Sequence, residues 1–174
     1  MTPPSSPSAS HAAASAPGSL PLGLLRALRP RQWAKNGMVF LALLFSVNQY
    51  WSFSNPAAAL DLLLHCTAAA LLFCLLSSAE YLVNDVLDAP QDRLHPTKRN
   101  RPIASGLVPV PLALATAAVL LVLGLAGCYL VTPLLAVVGA AYAVMMAAYS
   151  LGLKHQVIID VFIIAGGFVL RAAE

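Results

Sequence analysis

Five apolar runs constrain what this chain can become. They lie at about 37–54, 58–81, 108–131, 133–150 and 156–173, each near the roughly 20 residues an α-helix needs to cross a bilayer. The expected fold class is therefore all-α, a polytopic transmembrane helix bundle. Composition agrees: 59% of the residues are hydrophobic, only 10% are charged, and the mean hydropathy is +0.78. That excludes an ordinary soluble domain. A net charge of +3, with the cations scattered through apolar sequence, excludes nucleic-acid binding. Cys66, Cys74 and Cys128 all fall inside apolar runs without metal-ligand spacing, so they read as small packing residues.

Residues 1–21 are rich in Ser, Pro, Ala and Gly and contain no Lys or Arg. They lack the basic start and apolar stretch of a secretory signal and read as a disordered cytosolic tail. Residues 22–174 form the membrane domain. From Leu22 to Asn36, leucines alternate with Arg26, Arg29, Arg31, Trp33 and Lys35, a pattern suited to a helix at the headgroup level. The alternative is that a cation here reaches over a phosphate site. Tyr50 and Trp51 would lie in an interfacial belt. Pro109 and Pro111 are tolerable in a first helical turn, and Gly124 and Gly127 would admit a neighbouring helix.

Against this background the stretch Asn84–Gly106, NDVLDAPQDRLHPTKRNRPIASG, stands apart. Offsets of three and seven put Asp85, Asp88 and Asp92 on one helical face. Carboxylates so close repel one another unless a multivalent cation neutralises them. Hard oxygen ligands suit Mg²⁺, which binds through a few carboxylates together with substrate phosphates. Arg93, Lys98, Arg99 and Arg101 would grip the remaining phosphate oxygens. A polar loop between membrane helices is often only a solvated connector whose cations set topology. The aspartate face running directly into a basic segment favours a functional site. Glu80 and Tyr81, one turn earlier, either line its mouth or sit at the interface. Pro90 removes a backbone donor between Asp88 and Asp92 and is expected to kink the helix. His65 reads as a hydrogen-bonded packing residue, Asp61 as the outer start of the second helix, and Asp160 as a partner of Lys154, His155 or the phosphate site.

Nine of the ten cations fall before the first span, between the second and third, or between the fourth and fifth, with Arg171 the exception. The intervening connections, around 52–57 and 131–134, have no Lys or Arg. The expected location is a cell (inner) membrane, multi-pass, with the N-terminus, the aspartate loop and Lys154 cytosolic.

The segment Asn84-Asp85-Val-Leu-Asp88-Ala-Pro-Gln-Asp92 resembles NDxxDxxxD, the first aspartate-rich motif of the UbiA superfamily of membrane prenyltransferases. Its continuation Arg93–Gly106, with Arg29–Asn36 and Tyr149–His155, is similar to the branch that transfers phosphoribose to decaprenyl phosphate. The resemblance covers about residues 24–174. It implies a transferase that moves 5-phosphoribose from phosphoribosyl diphosphate to a polyprenyl phosphate for arabinan precursors of the cell wall. Asp85, Asp88 and Asp92 would be its catalytic and Mg²⁺-binding residues, and Asn84, Lys35, Arg93, Lys98, Arg99, Arg101 and Lys154 would bind substrate. It also implies nine transmembrane helices and a second aspartate-rich motif. About five helices and one motif are present, so the chain reads as the N-terminal half of such a domain, expected to be inactive alone, with an oligomer left open. The competing readings are an aromatic prenyltransferase using a polyprenyl diphosphate and a non-catalytic membrane protein fragment.

Overall fold

The computed structural model describes residues 19–47 and 54–151. Its backbone is helical: α1 Leu20–Ala27, a 3₁₀ segment Pro30–Val39, α2 Phe40–Phe45, α3 Pro56–Leu94, a short 3₁₀ turn Lys98–Asn100, α4 Val110–Val131 and α5 Pro133–Leu151. Among the described residues, α3, α4 and α5 are long and apolar enough to cross a membrane. They correspond to the second, third and fourth expected spans. The fifth span, with Lys154, Asp160 and Arg171, lies outside the described residues, as do Tyr50, Trp51 and residues 1–18.

Two expectations about the N-terminal region need correction. α1 already runs from Leu20, inside the stretch assigned to the tail. The segment 22–36 is not one helix either. It breaks at Arg29, whose φ of 55° is left-handed, and continues as the 3₁₀ segment. The described part of the first span then contains only the six residues of α2 as α-helix.

α3 is the spine. Asn55 starts it, its side chain accepting from the Ala58 N–H at 3.3 Å, with Pro56 at the first helical position. The 39 residues give a length of about 58 Å at 1.5 Å per residue, against about 30 Å of hydrocarbon. Pro90 does not end the helix, which continues to Leu94. α4 and α5 are joined through Thr132, whose hydroxyl accepts from the Leu135 N–H at 3.0 Å and so caps α5.

Inside lipid, helices associate by close packing rather than by exclusion of water. Accordingly α4 presents Gly124 and Gly127 to Leu76 and Leu72 of α3, while Gly139 of α5 meets Cys128 and Leu76. Around these contacts Phe73 and Tyr142 pack edge to face, centroids 5.4 Å apart. A second cluster at the other end of α3 gathers Ala27, Leu82, Ala89, Ile103, Val108 and Ala113. It clamps α1 and the loop after α3 against the spine. Val119, Val122 and Leu123 of α4 and Val137 and Val144 of α5 face outward, as lipid-facing side chains do.

Candidate anion-binding site at the end of α3

The aspartate face forms in the last turns of α3. Asp85 and Asp92 are both nearly inaccessible, at 2% and 3% exposure, and two arginines from outside the helix meet them. Arg29 donates to Asp85 Oδ1 at 2.5 Å. Arg101 lies 2.7 Å from Asp92 Oδ2 and 3.3 Å from Asp85 Oδ1, bridging the two carboxylates. Buried carboxylates survive only when paired in this manner. Asp88 is half-buried and accepts from Asn84 Nδ2 at 3.0 Å.

The loop that delivers Arg101 owes its shape to local chemistry. His95 leaves the helix in extended conformation, and its Nδ1 accepts from the backbone N–H groups of Thr97 and Lys98 at 3.3 Å. Arg93 Nε donates to the Ala104 carbonyl at 3.1 Å, tying the loop back to α3. Gly106, at φ 82°, supplies the left-handed turn needed to enter α4. Ile103, Ala104 and Val108 are buried beneath.

On the other side the 3₁₀ segment is pinned to α3 by side chains. Trp33 Nε1 donates to Ser78 Oγ at 2.9 Å, and that hydroxyl donates to the Leu28 carbonyl at 3.2 Å. Asn36 Nδ2 donates to Cys74 Sγ at 3.2 Å and to Ser77 Oγ at 3.4 Å. The Arg29 guanidinium also lies 5.0 Å over the Tyr81 ring. Trp33 is thus bonded inside the bundle instead of serving only as a headgroup anchor.

The expected site residues therefore divide. Asp85, Asp92 and Arg101 form one cluster, and Asn84 with Asp88 sits beside it. Arg93 braces the loop. Lys35, Lys98 and Arg99 are exposed, and Lys154 lies outside the described residues. Among the described residues no three His, Cys, Asp or Glu side chains converge as a ready metal cage. The donor chemistry still fits Mg²⁺, since hard carboxylates lie along one face at the right intervals. Arg101, however, stands between two of them. Glu80 is buried, and its Oε2 has no hydrogen-bond partner among the described residues. His65 is half-exposed, its Nδ1 2.9 Å from the Asp61 carbonyl, at the far end of α3. Arg29 is the residue that sequence reasoning undervalued. Its signal was the Arg29–Asn36 motif, which carried the resemblance but offered no hint of which cation turns inward.

The described helices thus gather carboxylates and guanidiniums at one end of an apolar bundle. The chain belongs to the UbiA prenyltransferase family, whose profile matches residues 38–173. Prenyltransferases of this family generally use a divalent metal, and three apolar helices with this membership mark a multi-pass membrane protein. The chain is 42% identical over 156 residues to the decaprenyl-phosphate phosphoribosyltransferase of Mycobacterium tuberculosis, covering 90% of this chain and 50% of that protein. It is 42% identical over 158 residues to the protein so named in Mycolicibacterium smegmatis, covering 90% and 48%. For that of Corynebacterium glutamicum the identity is 39% over 158 residues, covering 90% and 46%. The chain thus spans about half the length of these relatives.

Proposed function

We propose that this chain supplies the donor-binding side of a phosphoribosyltransferase acting on a polyprenyl phosphate, decaprenyl phosphate by the names of its relatives. The observation that carries the reading is the cluster of Asp85, Asp92, Arg29 and Arg101 at one end of a membrane-spanning helix. Such a cluster can exchange internal ion pairs for contacts with a diphosphate, whose added negative charge a bound Mg²⁺ would offset. In the reaction an oxygen of the acceptor phosphate bonds to the anomeric carbon of the ribose. The bond from that carbon to diphosphate breaks, and its electron pair leaves with the diphosphate. The acceptor is already an anion, so no strong general base is needed, and positioning supplies most of the rate.

Asp85, Asp88 and Asp92 would hold Mg²⁺, which supplies neutralising charge to the departing diphosphate. Arg101, displaced from the carboxylates, is then free to donate to phosphate oxygens, as is Arg29. Arg93 keeps the loop folded. Lys98, Arg99 and Lys35 add positive potential at the mouth, which draws a multiply charged sugar diphosphate, and Lys154, outside the described residues, is read as a further substrate-binding cation. With the positive-inside pattern this end faces the cytosol of a cell membrane, and the product suits arabinan precursor synthesis for the cell wall.

Membranes containing a full-length protein that carries this chain as its N-terminal half, given labelled phosphoribosyl diphosphate and decaprenyl phosphate, should yield a labelled lipid only with Mg²⁺. Asp85→Asn or Asp88→Asn should cut its formation by about a hundredfold or more, since each removes charge opposite the diphosphate. Lys98→Ala should mainly raise KM for the donor. Prenylation of an aromatic acid by the same membranes, with no labelled lipid, would overturn the assignment in favour of an aromatic prenyltransferase.

A further inference from the structure

Beside Arg29 lies a cleft of about 540 Å³ bounded by Arg26, Arg29, Pro30, Arg31 and Gln32. We infer that this cleft receives the phosphate monoester of a lipid, placing the acceptor of the proposed reaction beside the aspartate cluster. The inference rests on the phosphoribosyltransferase reading for the word acceptor, but not for the chemistry of the cleft.

Three features on the molecule point the same way. The lining has three guanidiniums and no carboxylate, and forked guanidiniums are the protein's best match to phosphate oxygens. Their convergence comes from an unusual backbone. Arg29 is the one non-glycine residue of positive φ among the described residues. The reversal it makes between α1 and the 3₁₀ segment brings Arg26 and Arg31 to one opening. A left-handed arginine is strained, and strain of this kind collects at ligand sites.

The third feature selects a lipid over a soluble phosphate. Leu22 and Leu25 of α1, one turn or less before Arg26, are 42% and 48% exposed. They give the cleft an apolar lip on which an isoprenoid chain can lie while its head enters among the arginines. On the opposite side α1 is fixed in place. Gly23 sits so close to the loop that an added Cβ would stand 2.7 Å from Leu107. Arg29 is the wall common to both compartments, since its guanidinium also holds Asp85. A phosphate in the cleft is therefore separated from the donor site by one side chain.

The test uses the chain in nanodiscs of phosphatidylcholine and measures binding of farnesyl phosphate, farnesol and, separately, phosphoribosyl diphosphate with Mg²⁺. Arg26→Gln combined with Arg31→Gln should weaken farnesyl phosphate binding about tenfold or more, because charge-assisted hydrogen bonds are lost. Binding of farnesol and of phosphoribosyl diphosphate should stay within about twofold. Arg26→Lys with Arg31→Lys, which keeps charge without the fork, should fall between. Unchanged farnesyl phosphate binding in the Gln variant overturns the inference. An equal loss for phosphoribosyl diphosphate would give the cleft to the sugar's 5-phosphate instead. Displacement of farnesyl phosphate by phosphatidylglycerol at equal concentration would make it a general anchor for anionic lipid, which also overturns it. If farnesyl phosphate binds through Arg26 and Arg31 while phosphoribosyl diphosphate does not bind at all, the cleft stands and the proposed donor falls.

Discussion

Arg101 holds together two carboxylates that would otherwise repel each other in a site nearly closed to water. Its own side chain is about a quarter exposed, so solvent screens part of the attraction. Arg101→Ala should therefore lower stability by about 1–3 kcal/mol, less than loss of a fully buried pair. Denaturation in mild detergent would measure it, and an unchanged midpoint would mean that the bridge contributes nothing. Arg29 and Asp85 offer a cleaner measurement. A double-mutant cycle with Arg29→Ala and Asp85→Ala should give a coupling of about 1–2 kcal/mol. Additive losses would dissolve the link between the N-terminal segment and the spine. At this scale the sequence was half informative. The spacing of Asp85, Asp88 and Asp92 revealed the face, and the basic run revealed the loop. Which cation closes on which carboxylate depends on the left-handed turn at Arg29 and on Gly106, and neither has a periodic signature.

At the scale of elements, α3, α4 and α5 were legible because length and apolar content in a membrane leave few alternatives. The boundary expected between the third and fourth spans is one the structure keeps, at Thr132. The stretch just before the first span was not legible in the same way: Trp33, Asn36 and Arg29 bond to α3, and those tertiary bonds favour a 3₁₀ segment over a continuous helix. Pro90 was expected to disturb α3, yet the helix runs on to Leu94, although Pro90 has no N–H to give the Val86 carbonyl. Close packing between elements makes a graded prediction. Gly124→Ala would bring a methyl group within 2.6 Å of buried Leu76, whereas at Gly139 the nearest atoms stand at 3.3 Å. The first should cost about 1–2 kcal/mol and the second distinctly less. Comparing their unfolding in the same detergent checks this, and equal losses would show that Leu76 moves aside freely.

For the whole molecule the first consequence is orientation. A reporter fused after residue 100 should read as cytosolic and one after residue 55 as lying across the membrane, since the cations divide so sharply between alternate connections. Agreement between the two reporters, or their reversal, would put the aspartate end on the wrong side for a cytosolic sugar diphosphate. The second consequence concerns height. α3 outruns the hydrocarbon by roughly 28 Å, and its surplus carries the aspartates. A helix anchored below by lipid would act as a gauge post, setting how far above the oil the proposed reaction takes place. Removing four residues from its apolar half, one turn, would lower that platform by about 6 Å and turn it through some 40°. The carboxylates would then miss both their arginines and the level at which a lipid headgroup floats. Adding a full seven residues, close to two turns, would restore their facing but lift them out of reach of the lipid. Labelling a cysteine placed at His95 with a membrane-impermeant reagent, in a background lacking Cys66, Cys74 and Cys128, would report the change. Equal labelling rates across the three lengths would show that the post sinks or tilts to compensate. What the length of α3 would provide, for the proposed reaction, is a fixed standing level for chemistry between a soluble sugar and a molecule that cannot leave the membrane.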